Sequence, residues 1–165
     1  MKKFISLFIL MIIALTSYAQ SNSVYKMYRT QNYHNQLRLN TMTGEVQQIQ
    51  DDGQSWMICG ARETLGDVAG RFCLYETQNM WTFILLDSYN GRLWQVQYST
   101  QDLDNLFCIP INKNELVENN ERCVFSIQPL TSMYQYYLIN DNTGDMWKFQ
   151  WSTKGDDYRW IERFR

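Results

Sequence analysis

Residues 72–97 read FCLYETQNMWTFILLDSYNGRLWQVQ, and residues 25–50 read YKMYRTQNYHNQLRLNTMTGEVQQIQ. Set one beneath the other, the two run for 26 positions without a gap at a fixed offset of 47. Tyr28-x-Thr30-Gln31-Asn32 returns as Tyr75-x-Thr77-Gln78-Asn79, and Leu39-Asn40, Gly44 and Gln48-x-Gln50 return as Leu86-Asp87, Gly91 and Gln95-x-Gln97. A third unit, YQYYLINDNTGDMWKFQWS, places Gly144 and Trp147 where the second has Gly91 and Trp94. Its first strand, around Cys123 to Gln128, aligns after a two-residue insertion. A period of this size marks tandem copies of one supersecondary unit that cannot bury its apolar face alone.

Within a copy the pattern is that of strands. Leu37/Leu39, Ile84/Leu86 and Tyr137/Ile139 alternate with period two, as do Trp94/Val96/Tyr98 and Trp147/Phe149/Trp151. Asn90-Gly91 between two apolar and aromatic runs is a hairpin signal, because both residues tolerate positive φ. Thr43-Gly44 and Thr143-Gly144 take the same place in the other copies. The second copy therefore predicts strands at Phe72–Thr77, Trp81–Asp87 and Arg92–Tyr98. Fourth strands are expected at Trp56–Cys59, Leu106–Ile111 and Tyr158–Ile161, with a helical turn each in Ala61–Gly70 and Asn112–Glu121. The expected fold is all-β, three four-stranded repeats in a β-trefoil-like arrangement. The alternative is an incomplete or oligomer-completed β-propeller, since closed propellers usually need at least four blades.

The chain opens MKKFISLFILMIIALTSYAQ, in which Lys2 and Lys3 precede an apolar run from Phe4 to Leu15 and Ser17-Tyr18-Ala19 offers small residues at −3 and −1. That is the pattern of a secretory signal peptide over residues 1–19, cleaved after Ala19, rather than of an uncleaved anchor. The mature chain, 20–165, is read as a single domain with copies at about 24–70, 71–121 and 122–165, exported to the periplasm or beyond. With 15 Lys and Arg against 17 Asp and Glu, the full chain of 165 residues has no basic cluster to suit nucleic acid. At 45% hydrophobic it is too apolar for intrinsic disorder.

Four cysteines in an exported chain allow three connectivities. Cys59 and Cys108 lie in fourth strands, while Cys73 and Cys123 open the first strands that follow. Repeat symmetry therefore predicts Cys59–Cys73 and Cys108–Cys123 as equivalent staples across successive junctions, the alternative being buried free thiols. Such staples need a fourth strand beside the next first strand, which favours the trefoil.

For chemistry, His34 is the one histidine, and its position holds Trp81 and Tyr134 in the other copies. It is read as an aromatic-sized side chain packing at a strand start rather than as a general base. No nucleophile elbow, zinc-protease, P-loop or dinucleotide signature occurs, and no cofactor is implied. The acidic turns Asp141–Asp145 and Asp51-Asp52-Gly53 lack the spacing of a calcium loop, so no metal site is expected. Asp87 with Asn90, and Asn140 with Thr143, beside rings such as Tyr89, are candidates for binding sugar hydroxyls; hairpin-turn duty competes for the same groups. The expectation is a non-enzymatic interaction or envelope-associated module with an unknown protein or glycan partner; the alternative is a carbohydrate-binding module.

Three resemblances add to this reading. Gln54-Ser55-Trp56 resembles the Q-x-W of ricin-type trefoil lectins, which implies a trefoil that takes sugars. LLDSYNGRLWQVQ is similar to the turn of quinoprotein-type propeller repeats, though Trp94 follows Gly91 more closely than in that family. Over nearly the whole mature chain the repeat resembles uncharacterised small exported bacterial proteins bearing Y-x-T-x-N-x-W-x-F-x-L-L-D-x-x-x-G-x-x-W-Q-V-Q, a likeness that implies export but no activity.

Overall fold

The alternating runs form twelve strands, seen in a computed structural model that describes residues 23–62, 68–117 and 124–164. The first copy holds β1 (Tyr25–Arg29), β2 (Asn35–Asn40), β3 (Val46–Gln50) and β4 (Ser55–Cys59). The second holds β5 (Phe72–Glu76), β6 (Thr82–Asp87), β7 (Leu93–Gln97) and β8 (Phe107–Pro110). The third holds β9 (Phe125–Pro129), β10 (Gln135–Asn140), β11 (Met146–Gln150) and β12 (Trp160–Arg163). Each copy is one antiparallel four-stranded meander, and the three sheets are open rather than closed into one ladder. The all-β, three-repeat, trefoil-like succession expected from the sequence is present.

Both recurring motifs turn out to build turns. In the second-to-third-strand hairpins, the Asn40, Asp87 and Asn140 side chains each accept a hydrogen bond from the backbone N–H two residues on, all at 3.0 Å. Gly44, Gly91 and Gly144 follow with φ of 72°, 73° and 76°, a region that only glycine enters without strain. Thr30 and Thr77 accompany the preceding turn, each hydroxyl donating to the carbonyl of the Asn two residues later. The sequence T-Q-N therefore recurs because a turn recurs.

The middle sheet is buried on both faces, and all six residues of β6 are inaccessible. Leu74, Phe83, Leu85, Trp94 and Val96 pack against Leu37, Leu39 and Val46 of the first sheet. On the other side Ile84, Leu86 and Leu93 meet Phe125, Ile127, Leu138, Trp147 and Phe149 of the third. Each junction also carries a backbone bond: the Phe72 N–H donates to the Thr41 carbonyl at 2.9 Å, and the Phe125 N–H to the Ser88 carbonyl at 3.0 Å.

Two expectations are corrected. Cys59 is bonded to Cys108, with Cα atoms 5.3 Å apart, and Cys73 is a free thiol. The predicted partner of Cys59 was Cys73; Cys123 lies outside the described residues. The cause is the meander itself. It places first and fourth strands at opposite edges of a sheet, so β4 lies beside β8 rather than against β5 at the far edge. A register shift at Val46/Gln47 helps, turning consecutive Ile58 and Cys59 both inward. The support that the Cys59–Cys73 staple lent to a closed trefoil is thereby removed. Second, 3-10 turns occur at Leu103–Asn105 and Asp156–Tyr158, before the fourth strands, so β12 starts at Trp160 rather than Tyr158. The expected helical turns between copies fall partly at 63–67 and 118–121, outside the described residues, and 112–117 holds none.

Candidate functional site

Where the turn before the second strand meets the end of the third, each copy has a cleft at the same register. Backbone bonds of 3.1 Å join the two segments in all three copies: Asp51 N–H to the His34 carbonyl, Tyr98 N–H to that of Trp81, and Trp151 N–H to that of Tyr134. The side chains at these paired positions are thereby held against one another. In the second copy the Trp81 and Tyr98 rings lie 5.2 Å apart, and in the third the Tyr134 and Trp151 rings lie 4.9 Å apart, both tilted. In the first copy the same pair is polar, with His34 Nδ1 3.2 Å from Asp51 Oδ2.

The clefts measure about 340, 530 and 180 Å³ in copies one to three. Gln50, Gln97 and Gln150 line them at equivalent positions, followed by Asp52, Ser99 and Ser152. Gln97 and Gln150 carboxamides reach the Asn105 and Tyr158 carbonyls at 3.4 and 3.0 Å, fixing the cleft wall to the turn before the fourth strand. Asp52, Ser99 and Ser152 each accept the N–H two residues ahead, which sets the outer rim. The third cleft adds the exposed Tyr158 ring, with Lys154 Nζ 5.9 Å from its centroid. Each cleft thus combines amides, hydroxyls or carboxylates with, in copies two and three, one accessible ring, Trp81 or Tyr134, held against a buried one, Tyr98 or Trp151. Such a surface suits a ligand with alternating apolar and hydroxyl-bearing faces.

The residues singled out from sequence fare differently. Asp87 is buried and bidentate to Arg71, with contacts of 2.7–3.0 Å, and also closes its hairpin. Asn90 donates to Glu115 and accepts from the Arg92 N–H, while Tyr89 lies under the Arg71 guanidinium at 5.1 Å. Asn140 accepts from its own turn, and Thr143 bonds Asp145. Turn and core duty occupies all these groups, and the hairpin ends are not the clefts. His34 is not packed as the sequence reading expects: it is exposed, tilted against Tyr33, and paired with an exposed Asp51. Its position at a turn just outside β2 explains this. In the acidic turns, Asp141 accepts from Ser126 and Asp145 pairs with Arg163, which with Thr143 holds the Asp145 carboxyl below its usual range. Among the described residues no three His, Cys, Asp or Glu side chains gather to hold a metal. Burial raises the Cys73 thiol above its ordinary value. Among the described residues no helix is long and apolar enough to cross a membrane. Gln54-Ser55-Trp56 runs from the rim of the first cleft into β4, its Gln54 side chain bonded to Asp52.

Sequence reasoning aligned His34, Trp81 and Tyr134 but missed their partners at 51, 98 and 151. The available signal was joint change: where 34 becomes aromatic, so does 51. Comparison with family models, curated proteins and solved structures finds no match for this chain.

Proposed function

We propose that this protein is an exported, non-enzymatic binding module whose repeated clefts take carbohydrate. The observation that carries this reading is the recurrence of one cleft at one register, with the partly exposed Trp81 and Tyr134 rings beside amide and hydroxyl groups, each ring backed by a buried one, Tyr98 or Trp151. Catalytic groups act once per site, whereas repeated surfaces give several similar contacts, and linked weak contacts gain in avidity. Export is supported by the leader pattern of residues 1–19 and by the Cys59–Cys108 disulfide, which persists in oxidising compartments. The non-enzymatic reading is supported by His34, whose carboxylate partner is as exposed as itself and which faces solvent rather than an enclosed reacting centre.

A glycan array probed with the oxidised mature chain tests the reading. Binding is expected, and Trp81→Ala or Tyr134→Ala should each weaken it about tenfold, the effect of losing about 1.4 kcal/mol of stacking. An array silent at millimolar sugar, or binding indifferent to both changes, would sink it. The competing role, docking onto an envelope protein, draws on the outward face of the first sheet, where Tyr25, Met27 and Met57 are exposed.

A further inference from the structure

Both junctions between copies are made the same way, and each end of the chain carries one half of a third. At the first junction, Leu37, Leu39 and Val46 are fully covered by the second copy; at the second, Ile84, Leu86 and Leu93 are fully covered by the third. The strand registers equate these residues with Tyr137, Ile139 and Met146, which stand half-exposed on the outward face of the third sheet. A polar clip repeats beside them. Gln48 Nε2 donates to the Ser99 carbonyl at 2.8 Å, and Gln95 Oε1 accepts from the Ser152 N–H at 3.2 Å, so each glutamine reaches the turn after the next copy's third strand. The residue at this position in the third copy is Lys148, and the equivalent of Ser99 and Ser152 in the first copy is Asp52. The accepting hairpin carbonyls, those of Thr41 and Ser88, have their counterpart in Asp141, and the donating first-strand N–H groups, those of Phe72 and Phe125, have theirs in Tyr25.

The geometry points to a second copy of this chain as the occupant: the outward face of the third sheet seats the outward face of another chain's first sheet, head to tail, with Lys148 on Asp52. The charges are complementary where the internal clips are neutral, and Tyr25 and Met27, 55% and 52% exposed, stand where the internal junctions bury Phe72 or Phe125 and Leu74 or Ile127. This junction is weaker than the internal two. Gln36, Arg38 and Gln47 replace Phe83, Leu85 and Trp94, and Arg38 donates to Gln47 within its own sheet. Contacts that are more polar than a domain core form and dissociate reversibly.

Sedimentation of the mature chain at up to about 100 µM, which populates contacts of micromolar Kd, decides the matter. Association is expected, weakened at least tenfold by Lys148→Asp or by Asp52→Lys alone. An equimolar mixture of the two single variants, and the double variant, should associate again, because each restores an opposite-charge pair only in the head-to-tail arrangement. A monomer throughout, association indifferent to both changes, or failure of both the mixture and the double variant would overturn the proposal. Both side chains are on the surface, and an unchanged far-ultraviolet spectrum confirms the fold of each variant. None of these readouts depends on sugar binding.

Discussion

Asp87 shows how one side chain can be claimed by several demands at once. It closes a hairpin through the Tyr89 N–H and holds Arg71 through two oxygens, with both partners almost wholly buried. A buried charge left without its partner keeps its desolvation cost, so removing one member of such a pair typically costs about 3–5 kcal/mol. Asp87→Ala should therefore lower the unfolding free energy measured in urea by that much, whereas Asn140→Ala should cost only about 1 kcal/mol for a lost turn bond. Equal losses in the two variants would show that the ion pair contributes nothing beyond the turn. The paired sequence positions Asp87 and Asn140 look interchangeable; their surroundings make them unlike.

The hairpins make the corresponding point at the level of elements. Gly44, Gly91 and Gly144 share one conformation, but an added Cβ at Gly44 would sit 2.8 Å from the buried Phe72 ring, and at Gly144 it would meet nothing within 4 Å. Gly144→Ala should cost about 1–2 kcal/mol for the left-handed backbone alone. Gly44→Ala should cost a further ~1–3 kcal/mol of overpacking, since the ring belongs to the next copy and cannot retreat. Thermal melts of the two variants measure the difference, and equal melting temperatures would contradict the packing account. Turns and strand parity were legible in the sequence because both depend on neighbours a few residues apart. The clefts were not, because each joins a turn to a strand end some 17 residues later through a backbone bond that no local pattern announces.

Across the whole molecule, stability rests on two apolar layers flanking the middle sheet and on a disulfide that ties β4 to β8. Closing a loop with a sequence separation of 49 should contribute about 4 kcal/mol by restricting the unfolded chain. Reduction should lower unfolding free energy by about that amount, and peptide mapping without reduction should recover Cys59 linked to Cys108. A Cys59–Cys73 peptide would instead restore the edge-to-edge arrangement that symmetry suggested. That suggestion failed for a definite reason: spacing along the chain measures loop length, whereas pairing depends on which sheet edges lie side by side.

The amino-acid sequence alone determined the triplication, the strands, and the hairpin turns with their glycines, since side-chain alternation and turn chemistry act over a few residues. Only the tertiary structure decided that β4 lies beside β8, that Cys59 meets Cys108, that Asp87 is buried with Arg71, and that three clefts recur at one register. These depend on how one sheet's face settles on the next, and that is set by packing between copies rather than by any pattern within one.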